Sequence, residues 1–202
     1  VEGYIADTAV TINLGDHEKL CEAAQKALDA AISVVKPELV VSEIGKVVEE
    51  TITSYGFKPI VNLTGHGLGR YSLHHGLSIP NTGLFGTGVL RNDSVIAIEP
   101  FATTGSGSVH EATRAEIYQV VGDAPVRSPT GRKILKKADE MCGLPFSRRW
   151  LGIPKAELAI PTLLKQGNLY DYHVLSDVAG SFVAQFEHTV IVTEDEPIVT
   201  TL

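Results

Sequence analysis

The 202-residue chain is poor in sulfur and aromatic groups: two cysteines, one methionine, one tryptophan, and only 6% Phe, Tyr and Trp together. Two cysteines, Cys21 and Cys142, without ligand-like neighbours exclude a disulfide framework and a thiolate metal site. They read as buried or idle thiols of a reducing compartment. A basic excess is missing as well. Lys and Arg number 17 against 24 Asp and Glu, for a net charge of −7, which argues against a general nucleic-acid binder but leaves room for a local basic patch. No apolar run approaches the ~18 residues a membrane span requires, no targeting segment is visible, and there is no internal repeat. An initiator Met is also absent: the chain opens at Val1 inside a stretch that reads as a strand. The expectation is therefore an N-terminally incomplete portion of a larger domain. What is present is ordinary for a globular protein, 44% hydrophobic and 20% charged residues, enough to bury a core without staples.

The pattern along the chain predicts alternating strands and helices. Tyr4 to Asn13 reads as a strand with Tyr4, Ala6, Thr8, Val10 and Ile12 on one face and Ile5, Asp7 and Ala9 on the more buried one. Asp16 is a candidate N-cap for a helix whose stripe runs Leu20, Ala23, Ala24, Ala27, Leu28, Ala31, Ile32 and Val35, ended by Pro37. Ser42 is the candidate cap of a second helix, with stripe Ile44, Val47, Val48, Ile52 and Tyr55, stopped by Gly56. Short strands follow at Pro59 to Leu63, Ser94 to Glu99, Ile117 to Val121 and Ser181 to Thr193. A Gly- and His-rich stretch, Gly65 to Gly88, lies between the first two. Ser128 to Met141 and Pro154 to Gln166 are helical in pattern. Arg132, Lys133, Lys136 and Lys137 form a basic face on the former, which reads as solvated surface. This order indicates an α+β fold, with residues 127–172 distinct in texture from 1–126 and 173–202.

Four segments carry acids or histidines inside apolar strands: Ile5-Ala6-Asp7-Thr8, Gly65-His66-Gly67-Leu68-Gly69, Ile96-Ala97-Ile98-Glu99-Pro100-Phe101 and Gln185-Phe186-Glu187-His188-Thr189. Ionised carboxylates on buried strand positions are costly unless a cation compensates them. Singly, each has an ordinary explanation as a turn, a strand end or a surface pair. Together, three acids and an imidazole invite a shared divalent metal, and oxygen-rich ligation with one His suits Mn, Fe, Co or Zn. The Gly65–Gly69 run lacks the spacing and the following helix of a phosphate loop, which excludes nucleotide binding there.

In order and approximate spacing these four segments resemble those of the type II methionine aminopeptidases, a branch of the pita-bread metallopeptidases. Phe146-Ser147-Arg148-Arg149-Trp150 resembles part of the helical insertion that sets type II apart. The resemblance covers the whole chain. It implies a pita-bread α+β domain over 1–126 and 173–202 with a helical insertion at 127–172. It implies two divalent ions (Co, Mn, Fe, Zn or Ni) held by Asp7, His66, Glu99 and Glu187, with Asp7 and Glu187 bridging. The family's fifth ligand, an upstream aspartate, would precede Val1, and so would its upstream substrate-binding histidine. His74 is implied as the substrate-contacting histidine, while Leu73, Pro145, Tyr172 and Ile117 are implied to line the methionine pocket.

The activity so implied is removal of the N-terminal methionine from nascent proteins and peptides, with metal-bound water or hydroxide as nucleophile. Glu99 is the expected general base and His74 a hydrogen-bond donor to the developing oxyanion. Implied partners are nascent N-termini and the ribosome, with no specific nucleic acid and no membrane, for a cytoplasmic monomer. Two other readings compete. A prolidase or aminopeptidase P would carry a larger N-terminal domain and lack the insertion. A catalytically dead pita-bread domain that binds proteins or RNA would have lost ligands that this chain retains.

Overall fold

The computed structural model describes residues 1–201 and contains an α+β arrangement of four α-helices, a short 3-10 turn and eleven strands. It divides into two compact units, Val1–His110 with the chain from Asp177 onward, and Glu111–Ser176.

The first unit is built on two amphipathic helices. α1 (Glu18–Ser33) buries Leu20, Ala23, Ala24, Ala27, Leu28 and Ala31. α2 (Val41–Ser54) buries Val41, Ile44, Gly45, Val48 and Ile52, so both predicted stripes face the core. Alanines on α1 and Gly45 on α2 allow close approach: a Cβ on Gly45 would overlap the carbonyl of Thr82. The predicted caps differ. His17 and Val40 occupy the N-cap positions and neither supplies a side-chain bond, so Asp16 and Ser42 do not cap. α1 stops at Ser33 rather than running on to Pro37, because Val34 and Val35 already close tighter turns onto Ala31 and Ile32. Gly56, at φ +85°, ends the α2 region as expected.

These helices pack against an antiparallel five-stranded sheet ordered β11-β10-β4-β2-β3. Its strands are β2 (Thr64–Gly67), β3 (Ser78–Pro80), β4 (Val95–Ile98), β10 (His188–Ile191) and β11 (Ile198–Val199). Ile79, Ile96, Ile98 and Val190 join the helix residues in one core. Each of these side chains removed from water contributes roughly 1.5–3 kcal/mol. A three-stranded sheet, β1-β5-β9, completes the unit, with β1 (Lys58–Pro59), β5 (Phe101–Thr103) and β9 (Val183–Gln185).

Three strand expectations change. Of Pro59 to Leu63 only Pro59 lies in a strand, as the second residue of β1. Ser181 to Thr193 is broken into β9 and β10 around Phe186 and Glu187. Tyr4 to Asn13 is extended and alternates half-buried odd residues with exposed even ones, yet it forms only an isolated bridge, Ala9 with Glu187. The reason is chemical. Threonine hydroxyls take ladder positions: Thr11 Oγ1 donates to Gln185 O and accepts from Gln185 N, and Thr189 Oγ1 does the same with the backbone of Asp7.

The second unit has its own core of Tyr118, Ile134, Phe146, Leu151, Ile160 and Leu163, among others. β6 (His110–Val120) runs well beyond the Ile117–Val121 expected. It lies between β7 (Phe146–Ser147) and β8 (Leu169–Ser176), the last absent from the sequence reading. α3 (Pro129–Asp139) opens with Ser128 accepting from Gly131 N and Pro129 in the first turn, a favourable start. The 3-10 turn Arg148–Trp150 leads toward α4 (Ala156–Lys165). Cys21 is half-buried, whereas Cys142 is exposed at φ +57° rather than buried.

Candidate metal centre

Strand alternation explains why four distant segments meet. In register, Ala97 of β4 lies between His66 of β2 and Thr189 of β10, so these three side chains share one face of the sheet. Ile96 and Ile98 point the other way into the helix core. Two residues past Ala97 is Glu99, and two before Thr189 is Glu187. The small Ala97 side chain leaves space between them. Thr189 clamps the neighbouring extended segment through both backbone bonds to Asp7, at 2.7 and 2.8 Å, which fixes the Asp7 carboxylate at the same spot.

Gly65 and Gly67 flank His66 for a steric reason. A Cβ on Gly65 would overlap the carbonyl of Ala97, and one on Gly67 that of His75. The Gly-His-Gly run is thus a strand pressed against backbone on either side, not an anion-binding loop.

The resulting group is tight. One ligand atom each from Asp7, His66 and Glu187 lie within 4.8 Å of one another. His66 Nε2 is 3.8 Å from Asp7 Oδ2 and 3.5 Å from Glu99 Oε1. His66 Nδ1 is 3.3 Å from Gly67 O. A proton on Nδ1 facing that carbonyl leaves the Nε2 lone pair aimed at the carboxylates, the orientation a metal ligand needs. Burial, then Glu187, then Asp7 push Glu99 up to about 9, and burial followed by Asp7 pushes Glu187 up to about 7. No Lys or Arg pairs with this group among the described residues. Three carboxylates crowded without a compensating cation are what a divalent metal site looks like from its ligand side, and the residues present fit such an ion.

Two further contacts complete the surroundings. Gln185 Nε2 donates to Glu99 Oε2 at 3.2 Å. The His74 ring stands edge-on to His66 at 4.4 Å between centroids. Desolvation, with His66 next, holds His74 below its usual range, so it is neutral near pH 7. Gln185 and Thr189 belong to the motif around Glu187, and sequence alone assigns them no role. Their offsets of two from Glu187 were the signal for one.

The structure brings Asp7, His66, Glu99, Glu187 and His74 together. Leu73 is half-buried in the same unit. Pro145, Tyr172 and Ile117 belong to the second unit. There Ile117 pairs with Ser147 across the sheet, and the Tyr172 hydroxyl donates to Gln119 Oε1 at 2.6 Å. No described helix is long and apolar enough to cross a membrane.

Residues 1–194 match Metallopeptidase family M24. The whole chain is 48% identical to a methionine aminopeptidase of Thermococcus onnurineus and 49% identical to one of Pyrococcus horikoshii, spanning 70% of each relative's length. Among solved structures, a thermophilic Arx1 superposes with a TM-score of 0.85 at 20% identity, over 98% of this chain and 63% of that one.

Proposed function

We propose that this chain, which belongs to metallopeptidase family M24, releases the N-terminal methionine from peptides and nascent proteins by metal-dependent hydrolysis. The observation that carries the reading is the convergence of Asp7, His66, Glu99 and Glu187, drawn from four separate segments onto one cluster. Identity near one half to curated methionine aminopeptidases supports it.

A divalent ion bound there supplies Lewis acidity, lowering the pKa of water and polarising a carbonyl. The remaining work belongs to the chain. Asp7, His66, Glu99 and Glu187 hold the charge, with Thr189 fixing Asp7 and the Gly67 carbonyl orienting His66. Glu99 accepts the proton lost as water adds to the scissile carbonyl carbon, and Gln185 steers its carboxylate. His74, neutral and edge-on to His66, donates a hydrogen bond to the oxygen on which charge develops. Glu99 returns that proton to the amide nitrogen, which leaves as an amine as the C–N bond breaks. Leu73, half-buried in the unit that holds the cluster, offers apolar surface to the methionine side chain, whose flexible thioether adapts to an irregular contour. The substrates are nascent chains, met in the cytoplasm at the ribosome.

The test is release of free methionine from a Met-Ala-Ser peptide in the presence of Mn or Co. The reading predicts release that EDTA abolishes, that an N-acetylated peptide does not support, and that Glu187→Gln lowers at least a hundredfold. Equal cleavage by Glu187→Gln would remove the cluster from the chemistry.

A further inference from the structure

The net charge of −7 conceals a strong asymmetry. Residues 127–155 contain eight Lys and Arg against only Asp139 and Glu140. That stretch is +6, so the rest of the chain is −13. It lies wholly within the second compact unit.

The cations are displayed, not buried in ion pairs. α3 turns Gly131, Ile134 and Ala138 into the core, which leaves Arg132, Lys133 and Lys136 exposed on the outer side. Lys137 pairs with Glu140 and Arg148 with Glu116. Lys133, Lys136, Arg149 and Lys155 have no carboxylate partner within ion-pair distance among the described residues. Val126, Arg127 and Gly131, at the start of α3, line one cavity with Thr162, Leu163 and Gln166, at the end of α4. The start of α3 therefore lies against the end of α4. The 3-10 turn that carries Arg149 and Trp150 belongs to the same compact unit as α3.

Trp150 is the second observation. It is the one tryptophan of the chain, and it is 59% exposed. An exposed indole next in sequence to an unpaired guanidinium offers a stacking surface for an unpaired base, while the exposed lysines of the same unit suit phosphates. A lipid surface is the poorer match. Insertion needs a free apolar helix face, and the apolar face of α3 is already spent in its own core.

We propose that the second unit docks single-stranded or loop RNA through the α3 lysines, Arg149 and Trp150. The surface stands independently of the peptidase chemistry, which uses none of these residues. On α3 alone the basic face reads as solvated surface; Trp150 and the charge bias of the surrounding stretch are what add a ligand to it.

The experiment uses the full chain and a short fluorescein-labelled single-stranded RNA, read by anisotropy. Binding is expected, with affinity falling steeply with salt at about −0.7 in log–log slope per phosphate contacted. The triple variant Lys133→Glu/Lys136→Glu/Arg149→Glu is expected to bind at least tenfold more weakly, with the slope shallower by about 2. In the unmodified chain, RNA should quench Trp150 fluorescence, a readout that needs no variant. Trp150→Ala should weaken binding several-fold. Absence of RNA binding, unchanged affinity in the triple variant, or no Trp150 quenching would overturn the proposal. So would equal or tighter binding to phosphatidylserine vesicles or polyglutamate. Thermal unfolding of each variant confirms that losses are not losses of fold.

Discussion

Replacing Glu99 with Gln should stabilise the metal-free protein, and increasingly so as the pH rises. Glu99 is held at about 9 against an ordinary value of 4.5 by burial and by Glu187 and Asp7. In the metal-free fold the carboxyl therefore keeps its proton where the unfolded chain has lost it. The folded state binds more protons across this interval, so its stability falls as pH rises from about 4.5 to about 9 and levels off beyond. Each pH unit is worth about 1.4 kcal/mol per proton. At pH 7 the cost attributable to Glu99 is about 3 kcal/mol, and at pH 9 it reaches at most about 6 kcal/mol. Gln fills the same volume and cannot ionise. The assay is thermal unfolding in EDTA from pH 5 to 9, wild type against Glu99→Gln. The two should be close at pH 5. At pH 9 the variant should melt up to about 12–24 °C higher, taking roughly 2–4 °C per kcal/mol for a chain of this size. Parallel profiles would refute the reasoning, because they would mean that Glu99 titrates alike in both states. With saturating metal the order should reverse, since Glu99→Gln removes a negative ligand and the wild type gains binding energy.

Four other outcomes follow. Thr189→Val removes both hydrogen bonds that fix the Asp7 backbone, so metal affinity by calorimetry should fall about 10–100-fold with little change in fold by circular dichroism. His74→Asn should lower kcat by about 10²-fold or more while leaving metal affinity near wild type. Gly67→Ala drives a methyl group into the His75 carbonyl and should cost about 1–3 kcal/mol in urea unfolding. Asp177 accepts bonds from Ser106, Val178, Thr103 and Gly107, which hold its carboxyl well below the usual range, with the Ser106 hydroxyl foremost. Its contribution is complete above the ordinary carboxylate pKa of about 3.9 and is lost as acid protonates it. Asp177→Asn should lower Tm at pH 7 and have a smaller effect in strong acid.

Much of the site could be read from sequence because it is made of types that are costly where they stand. An acid on an apolar strand needs a partner, and Asp7, Glu99 and Glu187 needed the same one. Parity along β4 and β10 then carried Glu99 and Glu187 to the face of His66. Helix stripes were equally legible, since Ala and Leu at helical spacing have one face to bury. What sequence missed depends on contacts between distant segments. Thr11 and Thr189 replace ladder bonds of the first extended segment, and threonine in a strand pattern gives no hint of that. β8 escaped because Leu169–Ser176 alternates weakly and is mostly half-buried or exposed. The helix starts at His17 and Val40 lack capping side chains, and the good capping types beside them, Asp16 and Ser42, do not cap. Cys142 sits exposed in a left-handed turn after α3 that helical periodicity cannot foresee.

The most direct measurement is calorimetric titration of Mn into the metal-free chain at pH 7, repeated in buffers of different ionisation enthalpy. The account predicts binding that releases between one and two protons: about one from Glu99, held at about 9, and about half of one from Glu187, held at about 7. Glu187→Gln should weaken that binding at least tenfold. Binding without proton release, or binding unaffected by Glu187→Gln, would contradict the claim that these buried acids gather around a divalent metal.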